Sequence, residues 1–304
     1  MTWTLKPLNA WQTNSTVDAV NTRPAQATCT AEVFQGLPCH RLSLPTGDSV
    51  LIAEHGAQVL SWHSAGRERL YLSSRSRFDG QSAIRGGVPV CWPQFNQRGS
   101  LPKHGFARNL PWLAGEPAFG AGQASLSLRL ATSPATQVHW PEAFQLTLTV
   151  LLSPGSLRLE LSVRNTGDQT WAFSGALHTY LAVDDLAQTS LHGLTGRQEW
   201  DALTDRHGVA APALRFTAEF DRVYGGAAMP MRLQDGGAGL RITQSTSWAN
   251  TVVWNPGAAK CAELTDMPPN GYLHMLCVEA AQVDEPVNVE PKGQWQGWQQ
   301  FDIA

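Results

Sequence analysis

The sequence predicts an all-β protein, an antiparallel β-sandwich or barrel in a single domain. Three observations carry that expectation: apolar residues recur with period two, turn-forming residues separate the apolar runs, and no long amphipathic helix lies between them. Taken in chain order, the runs begin at Ser49 to Ala53 and continue with the alternating Leu126, Leu128 and Leu130. Leu146, Leu148, Val150 and Leu152 repeat the alternation, and Leu157, Leu159, Leu161 and Val163 do so once more against Arg158, Glu160, Ser162 and Arg164. Between these two runs Ser153-Pro154-Gly155 supplies the chemistry of a hairpin turn. Further strands are expected at Phe173 to Val183, Leu240 to Thr243, Thr251 to Trp254 and Tyr272 to Val278, among turns rich in the chain's 27 glycines and 19 prolines. Ahead of them, Thr13 to Gln26 is polar and reads as a loosely held arm. A chain of 304 residues without an internal linker can bury one large core.

Composition narrows the function. With 22 basic and 25 acidic side chains the formal charge is −3, so the broad basic surface that binds nucleic acid is missing and any bound anion must be held locally. There is no apolar run of membrane-spanning length and no signal-like leader, so neither a membrane nor nucleic acid is an expected partner and a cytoplasmic location is expected. Five cysteines, an odd number without a CxxC pair, favour reduced thiols over a disulfide framework or a zinc site. Twelve tryptophans admit two readings, core filling and sugar-stacking platforms.

Chemistry-bearing residues concentrate in three places. Ala83 to Trp112 combines a glycine pair and three prolines before His104 with Arg85, Gln94, Lys103, His104 and Arg108, a mixture that neither a strand nor a helix would choose. Such a shaped loop can clamp an anion through arginine forks and a lysine. In Gly175 to Leu181, His178 interrupts an apolar strand; it is either a hydrogen-bonded core residue or a proton carrier. Tyr272 to Glu279 is apolar on both strand faces apart from His274 and ends in a carboxylate that is costly to bury unless hydrogen-bonded, protonated or at work. Asp221, beside Arg222, is by itself no more than a surface pair.

The blocks Ile84-Arg85-Gly86-Gly87-Val88-Pro89, Trp92-Pro93-Gln94-Phe95, His104-Gly105-Phe106-Ala107-Arg108-Asn109, Leu177-His178-Thr179-Tyr180, Asp221-Arg222-Val223-Tyr224, Trp254-Asn255-Pro256 and Cys277-Val278-Glu279 follow one another in an order that resembles the glucose-6-phosphate 1-epimerases. These are the hexose-6-phosphate mutarotases of the aldose 1-epimerase group. The resemblance runs from about Gly36 to the C-terminus and implies the galactose mutarotase-like supersandwich over residues 36–304, with residues 1–35 as an N-terminal arm. It implies that His178 is the general acid and Glu279 the general base. It also implies that His104 and Asp221 contact the sugar and that Arg85 and Arg108 serve the substrate and its phosphate. Lys103 stands where some relatives have glutamine and adds positive charge there.

Anomer interconversion needs one acid and one base across the anomeric centre, so no metal and no cofactor are expected and the partner is a small sugar phosphate. Three other readings compete: an aldose 1-epimerase for unphosphorylated sugar, a noncatalytic carbohydrate-binding sandwich, and a glycoside hydrolase pairing Glu279 with Asp221.

Overall fold

The computed structural model describes Met1 and residues 26–226, 230–236 and 238–304. Among the described residues the strands form three antiparallel sheets of five, ten and eight strands, an all-β sandwich that follows the period-two pattern. Helices are confined to Pro134–Gln137, Gly257–Glu263 and three short 3₁₀ turns. Strands Phe144–Ser153 and Ser156–Asn165 form the expected hairpin, with Leu146 opposite Val163, Leu148 opposite Leu161 and Val150 opposite Leu159. The neighbouring strand Gln123–Ala131 sets Leu130, Leu128 and Leu126 against the same leucines and valine, so one face of the ten-stranded sheet is a continuous aliphatic layer. All of these side chains are buried, which is what alternation demands when one sheet face meets a core and the other meets water.

The main core draws on all three sheets, with Trp62 of the five-stranded sheet against Phe301 of the ten-stranded one and Val278 and Ala280 contributed by the eight-stranded one. Trp92 is its aromatic hub, in contact with Phe106, Trp140, Phe144, Trp171 and Phe173. Trp62, Trp92, Trp112, Trp171 and Trp248 are buried, so core filling accounts for these five tryptophans.

Two expectations need correction. Tyr272 to His274 has the composition of a strand start, yet Gly271–His274 is a 3₁₀ turn and the strand is Met275–Val289. The Asn255 side-chain amide donates to the carbonyls of Tyr272 and Met275, and these bonds hold the chain in a turn ahead of the strand. Second, Thr28–Phe34, inside the segment read as an arm, is a strand paired along its whole length with Leu37–Ser43. Of the remainder of that arm, residues 2–25 lie outside the described residues.

One buried glutamine joins the two larger sheets. Gln299, on strand Gln294–Ile303, accepts a hydrogen bond from Thr179 Oγ1 at 2.8 Å and donates from Nε2 to the carbonyl of Val278 at 3.0 Å. Both partners are fully buried and have sequence neighbours that prove important below. Replacing Gln299 with the similarly shaped methionine leaves a hydroxyl and a carbonyl unpaired in the core, at a cost of roughly 1–3 kcal/mol each. Denaturant unfolding of Gln299→Met is therefore expected to show a stability lower by about 2–6 kcal/mol; an unchanged midpoint would show that the bridge contributes nothing.

Candidate active site

The eight-stranded sheet has one face on the main core and the other on a cavity. In strand Met275–Val289, Val278 and Ala280 point to the core, so Cys277 and Glu279 point the opposite way. Across the sheet, Trp200 pairs with Val223, Val223 with Val252 and Val252 with Glu279. A second row places Asp221 beside Trp254, Trp254 beside Cys277 and Cys277 beside Tyr180. The strand opposite Glu279 is broken, ending at Leu177 and resuming at Tyr180. Leu177 pairs with Ala280 and Tyr180 with Cys277, so the register is the same on both sides of the break, and His178 falls opposite Glu279. Around the break the His178 N–H donates to Pro89 O at 3.0 Å and the Val278 N–H to Thr179 O at 3.1 Å.

The result is a close acid–base pair. His178 Nδ1 lies 3.3 Å from Glu279 Oε1, yet His178 Nδ1 and Glu279 Oε2 are both buried without a hydrogen-bond partner among the described residues. The imidazole stacks on Tyr180 with centroids 4.9 Å apart and planes 11° apart, and meets Trp254 and His104 edge to face.

The Ala83–Trp112 segment closes the cavity from the side. It contains the two-residue strand Val90–Cys91 and the 3₁₀ turn Ala107–Asn109 and is otherwise irregular, as its glycines and prolines imply. His104 itself has φ 66°, a left-handed conformation uncommon for a side chain of this size. It is held there by a hydrogen bond from its N–H to Asn96 O and by the packing of Gly105, where a Cβ would come within 2.1 Å of Trp92 O. The Asn96 N–H donates to His104 Nδ1 at 3.2 Å, so the neutral ring carries its hydrogen on Nε2. Arg85 is fixed by Tyr180 OH at 3.0 Å and by Asp266 at 3.1 Å. Arg108 donates from Nη2 to Lys103 O at 3.0 Å, while its buried Nε has no partner among the described residues.

A cavity of about 230 Å³ is lined by all seven side chains singled out from the sequence: Arg85, Lys103, His104, Arg108, His178, Asp221 and Glu279. It is also lined by Trp200, Trp254 and Tyr180, which sequence reasoning did not place in the site. Their signal was available in part, because Trp254 shares a strand face with Val252, and Tyr180 is two residues beyond His178.

Burial and charge act on these groups in opposing ways. Glu279 is pushed well above the ordinary carboxyl range, first by burial and then by the charge of Asp221, while Arg108 pulls it down. His178 is pushed well below the ordinary imidazole range by burial, Arg108 and Arg85, and His104 falls in the same direction through burial and the neighbouring His178. Asp221 is raised to about 6 by burial and Glu219, against the pull of Lys103. Lys103 is lowered by burial and by the two arginines. The arrangement is an acid–base couple facing a polar cavity beside concentrated positive charge. The donor atoms of His178, Cys277 and Glu279 lie within 4.8 Å of one another, but burial favours the protonated thiol and carboxyl, forms that do not ligate a cation.

A carboxyl whose folded pKa is raised stabilises the fold below its unfolded value, and that contribution is lost as pH rises through the folded value. Glu279→Gln removes this dependence. Its denaturation midpoint is expected to exceed that of the wild type above about pH 7 and the difference to shrink toward about pH 4.5. A midpoint difference independent of pH would contradict the buried, raised carboxyl.

Comparisons with known proteins show the family of the chain. Residues 38–302 match the aldose 1-epimerase family. A protein of Escherichia coli (strain K12), provisionally named glucose-6-phosphate 1-epimerase, is 37% identical over 244 residues, covering 78% of this chain and 81% of its own length. One of the same provisional name from Cenchrus ciliaris is 34% identical over 255 residues, covering 80% of this chain and 78% of its own. Among solved structures, a provisionally assigned mutarotase from Salmonella typhimurium superposes with a TM-score of 0.84 at 30% identity, over 91% of this chain and 93% of its own. On these matches the chain belongs to the aldose 1-epimerase family, isomerases that interconvert the anomers of sugars.

Proposed function

We propose that this chain interconverts the α and β anomers of a hexose 6-phosphate, glucose 6-phosphate being the expected substrate. The observation that carries the reading is the pairing, in one cavity, of the His178–Glu279 couple with Arg85, Lys103 and Arg108, two of which have no carboxylate partner among the described residues. The names of the relatives from Escherichia coli and Cenchrus ciliaris favour the same substrate.

In the reaction, Glu279 takes the proton of the C1 hydroxyl while His178 protonates the ring oxygen, which opens the hemiacetal. Rotation about C1–C2 turns the other carbonyl face, and the reverse transfers close the ring with neither group consumed. A single proton moving within the couple serves both directions, so the two residues titrate as a unit. His104 offers its Nε2 hydrogen to the cavity, where it can steady the oxygen that gains charge on opening. Asp221 accepts from sugar hydroxyls, and Trp200 and Trp254 supply apolar walls, which keeps the open chain from leaving while it rotates. Arg108 and Lys103 hold the phosphate by charge-assisted hydrogen bonds. Arg85, already bound by Asp266 and Tyr180, contributes a fixed charge with less freedom to reorient.

Exchange NMR between the two anomers of glucose 6-phosphate tests the reading. Glu279→Gln and His178→Ala are each expected to lower kcat/KM by about 100-fold or more; wild-type rates in both would overturn the assignment. Arg108→Ala is expected to lower kcat/KM for glucose 6-phosphate by about 10-fold or more beyond its effect on glucose. An equal fall for both sugars would remove the phosphate from the proposal.

A further inference from the structure

The three cations occupy an unusual place. Arg85, Lys103 and Arg108 line the sugar cavity on one side and a second cavity of about 580 Å³ on the other, so they form the waist between two spaces. The outer space is bordered by Ser82, Ala83, Pro102 and Asn109, and neither His178 nor Glu279 lines it. An oxyanion can therefore reach the cations from outside while a sugar fills the inner cavity.

We propose that the phosphate is part of the catalytic machinery rather than only a handle: bound at the waist it cancels the positive field at His178 and Glu279, and a free oxyanion there activates the epimerisation of an unphosphorylated aldose. The proposal rests on the hexose-phosphate reading and extends it to an activating role for an oxyanion held by those same cations.

The groups facing the couple make the sign plain. From the Ala83–Trp112 segment come Arg85, Arg98, Lys103, His104 and Arg108; from strand Tyr180–Ala182 comes Tyr180; from strand Phe220–Gly225 and the residue before it come Asp221 and Glu219; from helix Gly257–Glu263 comes Lys260; from strand Met275–Val289 comes Cys277. Burial favours the neutral forms of both His178 and Glu279, which acts on them in opposite directions. Arg108 acts on both in the same direction and draws the proton from each. The couple needs to retain one proton to work, so an unneutralised Arg108 favours its loss as pH rises. Of the three cations at the waist only Arg85 has a carboxylate partner, Asp266, and the buried Nε of Arg108 has none among the described residues. A dianion on Arg108 and Lys103 removes the pull, and the couple keeps its proton to higher pH.

Sodium phosphite supplies the probe, with glucose as the sugar and rates corrected for mutarotation catalysed by the buffer. On the alkaline limb of the kcat profile, phosphite is expected to raise kcat for glucose saturably by about tenfold for each unit by which it moves that limb upward. The limb itself is expected to move toward the one seen with glucose 6-phosphate. In Arg108→Ala the activation is expected to vanish. Inhibition by phosphite, an unmoved alkaline limb, or activation that persists in Arg108→Ala would each overturn the proposal while leaving a preference for glucose 6-phosphate intact. If glucose 6-phosphate turned over no faster than glucose, the hexose-phosphate reading itself would fall and this proposal with it.

Discussion

The site depends on one constraint, the register between strand Met275–Val289 and the interrupted strand that runs from Trp171 to Ala182. Because the pairing sums agree on both sides of the break, a histidine and a glutamate 101 positions apart face each other with 3.3 Å between their nearest polar atoms. A slip of one residue would turn Glu279 into the core and bring Val278 to the cavity. Gln299 guards against that slip from behind, since its two hydrogen bonds go to the residues adjacent to the pair, Thr179 and Val278. The geometry of the proposed catalytic pair is thus set by backbone pairing and one buried amide, with no requirement that the two side chains bond each other.

That freedom matters electrostatically. A tight ion pair between His178 and Glu279 would fix the proton's location and oppose its transfer to the sugar. Instead both are buried, short of hydrogen bonds, and pushed toward neutrality, and the positive charges nearby act on them together. In the proposed reaction the couple exchanges a proton with the sugar's hydroxyl and ring oxygen, which provide the partners it lacks. The price is stability, because two ionisable groups sit unsatisfied in the interior.

Much of this was legible in the sequence, and the reasons differ by element. The leucine alternation of residues 146–163 identified half-buried strands because period two has no helical counterpart, and Ser153-Pro154-Gly155 marked their turn. The irregular composition of residues 83–112 announced a loop, since glycine at position 105 is demanded by a carbonyl at contact distance. Of the twelve tryptophans, Trp62, Trp92, Trp112, Trp171 and Trp248 fill the core, as one of the two readings expected, while Trp200 and Trp254 line the cavity. Less was legible where long-range partners decide. Tyr272 to His274 has a strand-like composition, but the Asn255 amide, 17 positions from Tyr272, diverts it into a turn. Asp266, which fixes Arg85, has no local signature at all, and Gln299 looks like any polar residue on an exposed strand face until the second sheet is present.

The central claim is that one cavity brings the anomeric centre to His178 and Glu279 while the phosphate rests on Arg108 and Lys103. A crystal structure of the inactive Glu279→Gln protein soaked with glucose 6-phosphate measures this directly. The account predicts the C1 oxygen within hydrogen-bond reach of the residue at 279, the ring oxygen within reach of the His178 imidazole, and phosphate oxygens on the Arg108 guanidinium. A sugar bound with its anomeric carbon turned away from both residues, or with its phosphate in solvent, would contradict it.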